Sequence, residues 1–325
     1  MSKYNKTPLL IKCSGGKAAQ ILALSNAVYL SKKLRVDFRV VYFPHSTGTY
    51  WEFGLEELLY EKELYEIRKS PGIRLDEEIK HGAHIPNFPT RRGGLSYLKI
   101  FQLMNRLGLI KWLRICRREI AIEGSRKRLD LVTNRTRVVS GNFVPIVNDE
   151  VYEDLEKRLG EKVGVNPFSL QVATNSVVIH YRLGDMRISP FDHNLSSDSR
   201  VVDPEVYRNI LSQVGFNFDV DRVHVVSDEP SVAGQLLASV GVKVNESSPE
   251  IGFWSDLDTM AAAKILIGSL SQMSFLGAAI CSRNGGQVFL PGDVFGEVDL
   301  ASSLEIDSFN YYEIFYLKHS HWLFK

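Results

Sequence analysis

The sequence predicts an α/β protein made of two doubly wound domains that face a cleft. Three observations carry that expectation. A strand, a glycine turn, a helix and a second strand follow one another near the start. The same alternation recurs through the second half, and the unusual polar residues of that half fall just beyond its strand ends. A chain of 325 residues also favours two domains, at roughly 100–200 residues each.

Pro8–Cys13 reads as a buried strand that runs into Ser14, Gly15 and Gly16. Lys17–Lys33 then carries apolar residues at helical spacing (Ile21, Leu22, Leu24, Val28, Leu30), and Val36–Phe43 is rich in the β-branched and aromatic residues of a strand. A helix start after two glycines is placed to meet an anion, although a tight turn needs glycine in any case. In the second half, Asn175–Tyr181, Arg222–Ser227, Lys264–Ser269 and Gln287–Leu290 read as strands. Pro204–Val214 reads as a helix with Asp203 as N-cap and Pro204 at its first position, Ser231–Val240 as another, and a third starts at Ser274. Gly160–Ser176 lacks regular pattern and holds Gly164, Asn166 and Pro167, so the linker is expected there. The division is then 1–165 for the first domain, 166–300 for the second, and a tail, 301–325, expected to pack back on the first. A (β/α)8 barrel competes at this length, but the basic stretch at 91–128 interrupts its rhythm.

Hydrophobic residues make up 44% of the chain and charged residues 24%, which excludes disorder, collagen-like repeats and coiled coil as the main architecture. No run reaches the roughly 18 apolar residues of a spanning helix. The apolar run near the start is too short for a secretory core, so no signal peptide is expected. Cys13, Cys116 and Cys281 are odd in number and far apart, with no C-x-x-C pair. That argues against a disulfide framework and a zinc site, and a reducing cytoplasm is the expected location.

The near balance of 39 basic and 38 acidic residues hides an asymmetry. Residues 91–128 hold eleven Lys/Arg against Glu119 and Glu123, so this segment carries +9 and the remainder −8. Phe101, Met104, Leu107, Ile110, Trp112 and Leu113 lie between the charges, as in an amphipathic helix or helix pair with one cationic face. The ordinary reading is a solvated face on a core. The sharper ones are an anionic membrane surface, which allows a peripheral position at the cytoplasmic face, or a polyanionic ligand. No helix-turn-helix, RRM or zinc-finger pattern accompanies the charge, so nucleic acid is not expected as a partner.

The polar residues that could carry chemistry follow the strands of the second half. Arg182, Gly184 and Asp185 come after the first, Asp228 and Glu229 after the second, and Ser271, Gln272 and Ser274 after the third; Asp256 and Asp258 precede that third strand. An arginine, hydroxyls, a glutamine and helix-start amides at one rim suit a diphosphate, and the carboxylates can take the donor edges of a base or ribose. Singly, each has a plainer reading, Asp228 as a helix N-cap and Ser271 as a turn residue.

HYRLGDM (180–186) resembles the H-x-R-R-G-D-Y motif of bacterial α-1,2-fucosyltransferases and the related H-x-R-R-x-D motif of α-1,6- and protein-O-fucosyltransferases. VDPEVYRNIL (202–211) is similar to that family's P-E-Y-Y-x-x-A-I helix, HVVSDEP (224–230) to its F-S-D-D strand end, and 256–280 to its D-L-Y-L-M-S block. Four blocks stand in order over about a hundred residues; 14–34 is a weaker echo of the family's glycine-rich opening, and 44–165 shows no match. The resemblance implies a GT-B fold and inverting transfer of fucose from GDP-fucose to a glycan, without a metal. It implies that His180 and Asp256 contact guanine, Arg182 the diphosphate, and Ser271, Gln272 and Ser274 the phosphate and sugar. Asp228 would close the same pocket, and Gly15 and Gly16 would let the first domain's loop approach the donor.

The sequence departs from the pattern at Leu183, where the motif has a second arginine, so one cation near the phosphates is expected to be missing. Phe275 and Leu276 replace paired tryptophans, and Ala19-Gln20 replaces Asn-Gln. These departures bear on the identity of the donor. Asp256-Leu257-Asp258 also spells the D-x-D of metal-dependent transferases, as does Asp219–Asp221, but the surrounding block favours the metal-free reading. Inverting transfer needs a stabilised leaving diphosphate and a base for the acceptor hydroxyl. Asp185, His45 and Glu52 are the candidates for the base. The rivals are another nucleotide sugar on the same scaffold, and a non-catalytic nucleotide- or sugar-binding protein. A dinucleotide-dependent dehydrogenase is disfavoured, because Ser14–Ala19 lacks G-x-G-x-x-G.

Overall fold

A computed structural model describes residues 8–13, 15–42, 58–60, 63, 119–122, 126–141, 143–160, 166–171, 176–184, 201–245, 252–291 and 309–312. The chain divides into two compact units, Met1–Ile146 and Val147–Lys325. Each is α/β with a wholly parallel sheet.

In the first unit β1 (Leu9–Cys13), α1 (Lys17–Leu34) and β2 (Phe38–Tyr42) form the expected opening. Two short strands, β3 (Glu119–Ala121) and β4 (Val138–Ser140), complete the order β2-β1-β4-β3, with the five-residue α2 (Arg126–Asp130) between them. Leu9, Ile11 and Cys13 alternate inward along β1, while Leu10 and Lys12 occupy its other face. α1 buries an almost unbroken run from Gln20 to Val28, so it is wrapped rather than laid on a surface. Its Asn26 donates to the carbonyls of Leu22 and Val144, tying the helix to the end of the unit.

Part of the segment 91–128 departs from the helical expectation. Glu119–Ala121 is a strand, and Glu119 does not belong to a solvated cationic face. Its side chain is buried, accepting from Lys12 Nζ at 3.1 Å and Ser140 Oγ at 2.7 Å. The register explains this: Glu119 pairs with Val138, so Ser140 lies two residues along on the same face. Residues 91–118 lie outside the described residues.

The second unit begins with α3 (Asp149–Leu159), capped by Asn148, whose side chain accepts from the Val151 amide. Within the candidate linker, Asn166–Gln171 is pinned inside this unit. Ser169 donates to Glu156, Gln171 to Asp258, and Arg283 to the Phe168 carbonyl. β5 (Val177–His180), α4 (Pro204–Gln213), β6 (Val223–Val226) and α5 (Pro230–Ser239) follow as expected. Asp203 caps α4 by accepting from the Glu205 amide. Then come α6 (Phe253–Ala261), β7 (Ile265–Ile267), α7 (Gln272–Arg283), β8 (Gln287–Pro291) and β9 (Phe309–Tyr312). β9, from the tail, pairs with β8 as the last strand of the second unit's sheet.

The strand order is β6-β5-β7-β8-β9. Renumbered within the unit it is 2-1-3-4-5, so the winding reverses direction between β5 and β7. In a doubly wound sheet that switch point opens a crevice beyond the carboxyl ends of those two strands. One face of β5 (Ile179, then Tyr181 and Leu183) joins α4 and α5 in a single apolar core. The period-two alternation turns His180 to the other side, where it meets Ser274 of the helix that follows β7.

Candidate functional site

The crevice between β5 and β7 is held together by side-chain hydrogen bonds. Ser274, in the first turn of α7, accepts from the Ser269 amide at 3.0 Å and meets His180 Nδ1 at 2.6 Å. Ser269 in turn accepts from the Arg182 amide at 3.0 Å. Helix α7 comes this close to β7 because residue 268 is glycine: a Cβ there would lie 2.7 Å from Leu290 Cδ2 and 2.8 Å from Ser274 Cβ. Ser271 caps α7 by accepting from the Met273 amide, while the first turn presents its remaining amides to the crevice side as a helix start does. Gln272 holds a buried side-chain oxygen with no hydrogen-bond donor among the described residues.

Asp228, at the end of β6, closes the other side. It is not the N-cap of α5, a position taken by Glu229. Its carboxylate accepts from the Leu183 amide at 2.9 Å and lies 3.3 Å from Arg182 Nη1. A Cβ at position 184 would collide with that carboxylate, so the glycine of R-L-G-D makes room for Asp228.

His180 is buried, and burial is the main reason its pKa drops to about 4; Arg182 pushes the same way and Asp228 opposes. The imidazole is therefore neutral near pH 7, and Arg182 is the cation of this group. Asp256 lies in the first turn of α6, half-buried, and burial raises its carboxyl to about 6. α6 packs against α7, β5 and β6, but the Asp256 side chain makes no hydrogen bond with the His180–Ser274 group among the described residues. Asp258 has another task, accepting from Gln171 Nε2 at 2.6 Å. Two residues apart on a helix, the carboxylates of D-L-D diverge by about 200° and do not chelate one ion.

Leu183 changes the meaning of the missing arginine. Its side chain is fully buried in the core beneath α4 and α5, on the sheet face opposite His180. In this chain, position 183 does not face the crevice, and its leucine takes no cation from it. Ser269 and Ser227 were not singled out in the sequence; the latter accepts from the Glu229 amide at 3.1 Å. The signal for Ser269 was its place directly after KILIG, at the end of a strand.

In the first unit, Gly15 takes a left-handed conformation (φ +90°) that glycine adopts without strain, and Gly16 is the N-cap of α1. Gln20 donates to the Gly15 carbonyl at 2.8 Å, holding the turn through the backbone. Asp185, His45 and Glu52 lie outside the described residues. Among the described residues no group of three or more His, Cys, Asp or Glu could hold a metal, and no helix is long and apolar enough to cross a membrane.

A doubly wound sheet with a cation, hydroxyls and a helix start gathered at its switch point is the class of α/β domain that receives an anionic ligand there. No family model matches the chain, and no curated protein does. Among solved structures, the chain is similar to POFUT1 in complex with GDP-fucose, at 15% identity and a TM-score of 0.29, over 51% of this chain and 61% of that one. POFUT1 in complex with GDP aligns at 14% identity and a TM-score of 0.39, over 89% of this chain and all of that one. The E. coli heptosyltransferase WaaC with ADP aligns at 12% identity and a TM-score of 0.35, over 91% and 90%.

Proposed function

We propose that the chain is an inverting glycosyltransferase of the GT-B class, and that the β5/β7 crevice binds the nucleoside diphosphate of a nucleotide sugar. The observation that supports this most is the convergence of Arg182, Ser269, Ser274, His180 and the start of α7 at the switch point. GDP-fucose is the donor that the resemblance of the motif blocks favours. The acceptor oxygen attacks the anomeric carbon in line, the bond from that carbon to the diphosphate oxygen breaks, and its electron pair leaves with the diphosphate. Arg182 and the α7 amides offset the developing charge without a metal, so added EDTA should not reduce turnover. The acceptor hydroxyl's proton passes to a base, for which Asp185, His45 and Glu52 stay the candidates. Asp256, charged above about pH 6, supplies an acceptor for the N1–H and 2-amino donors of guanine.

A second donor remains open on one observation: with Leu183 in the core, Arg182 is the cation that the crevice offers from this motif. The acceptor is a glycan of a surface polysaccharide, O-antigen or other oligosaccharide. A lipid-linked form at the cytoplasmic face of the membrane fits the +9 of residues 91–128. Arg114, Arg117 and Arg118 replaced by Gln should then lower sedimentation with anionic vesicles at low salt. Thermal shift with GDP-fucose and a panel of other nucleotide sugars tests the donor, since a bound ligand raises the melting temperature by mass action. A GDP sugar should give the largest rise. No rise with any of them would leave no nucleotide-sugar site.

A further inference from the structure

We infer that Asp228 is a positioning residue: it fixes the guanidinium of Arg182 for the diphosphate. This rests on the reading of the crevice as the diphosphate site. Its carboxylate joins the end of β6 to the turn after β5 with both oxygens, one on the Leu183 amide at 2.9 Å and the other toward Arg182 Nη1 at 3.3 Å. Three features around that turn leave it little freedom. The Arg182 amide is held by Ser269, the Leu183 side chain is sunk in the core, and Gly184 lies directly under the carboxylate. The backbone on both sides of Arg182 is thus fixed, and the long side chain is the part left to orient. Arg182 and Asp228 keep 27% and 24% of their side-chain surface in solvent, where an ion pair adds little to stability. Its value lies in where it puts the guanidinium.

The pairing gives Asp228 a role that is separable from burial or folding. Asp228→Asn keeps an oxygen for the Leu183 amide but removes the charge that aligns Arg182. GDP-fucose hydrolysis, followed as GDP release, should lose about tenfold in kcat while KM changes by less than about threefold. In an Arg182→Ala background the same substitution should cost nothing further, because the residue it acts through is gone. Gly184→Ala, which pushes a methyl group into the carboxylate, should reproduce the kcat loss in a folded protein. If Asp228→Asn retains full turnover, or its loss persists undiminished in Arg182→Ala, the positioning role is wrong while the site reading stands. A parent protein that neither binds GDP nor hydrolyses GDP-fucose overturns the site reading and this inference together.

Discussion

In both units a parallel strand is followed in sequence by a helix, yet the ends of those strands are furnished with different material. After β1, the turn is backbone: Gly15 in a left-handed conformation, Gly16 as an N-cap without a side chain, and a Gln20 amide on the Gly15 carbonyl. Beyond β5 and β7, the rim is side chain, with Ser269, Ser274, His180, Asp228 and Arg182 bonded to one another. A backbone turn receives an anion of any kind, whereas a network of fixed side chains selects one and orients it. Nucleotide binding is therefore expected to depend on point changes in the second unit, and the first unit's buried polar groups, Lys12 and Glu119 among them, to act on stability.

The largest expected effect follows from that contrast. Arg182→Ala removes the cation of the crevice and should cost roughly 3–4 kcal/mol of transition-state stabilisation, about 10²–10³ in kcat/KM. Lys at this position restores only part, since it lacks the planar fork. Steady-state kinetics on a variant with an unchanged melting temperature is the check, and near-normal turnover would remove Arg182 from the chemistry.

The matching change in the first unit should show the opposite signature. Lys12→Met leaves the buried Glu119 carboxylate without its cation and should lower unfolding stability by about 3 kcal/mol, with Ser140 as the remaining donor. GDP affinity of the folded variant should stay at the parent value. A loss of GDP affinity without loss of stability would move ligand chemistry into the first unit.

Smaller effects separate two groups within the second unit by pH. Burial holds the Asp256 carboxyl at about 6 in the fold against an ordinary 3.8, so its contribution to stability is full at low pH and is lost as pH rises through 6. His180 runs the other way. Its pKa falls from 6.5 to about 4, so its contribution is full above 6.5 and is lost as pH drops toward 4. Between pH 4 and 6 the two slopes oppose each other. Asp256→Asn should therefore reveal a melting temperature that falls with acidification, and His180→Asn one that rises. Identical pH profiles for the two variants would show that neither environment is as described.

The elements that were legible in the sequence are those with a repeating signal and a punctuating residue. β5 to β8 show apolar runs closed by polar residues, and α4 announces itself through Asp203 and Pro204. β3 and β4 were not read from the sequence: β3 opens on Glu119 at the end of a strongly basic stretch, and β4 offers only Val138 and Val139 as an apolar run. α6 was not among the elements expected from the sequence, although its buried Leu257, Met260 and Ala261 hold helical spacing. Of the site, Arg182, Asp228 and Ser274 were found because they follow strands, and His180, the last residue of β5, through the motif resemblance. The meaning of Leu183 was not, because a motif counts charges while the pleat decides which face each residue serves. Ser269 escaped for a related reason: its role is to accept from a backbone amide, which no side-chain pattern records.

We propose that the second unit's crevice holds a guanine nucleotide by its diphosphate through Arg182. Titration calorimetry of the full chain with GDP, guanosine, UDP and ADP tests it most directly. GDP should bind more tightly than UDP and ADP by on the order of tenfold or more, one hydrogen-bonded base edge being worth roughly 1–3 kcal/mol. Arg182→Ala should lose most of the affinity for GDP while binding guanosine as the parent does. Tighter binding of UDP or ADP, or an Arg182→Ala variant that binds GDP unchanged, would contradict the account.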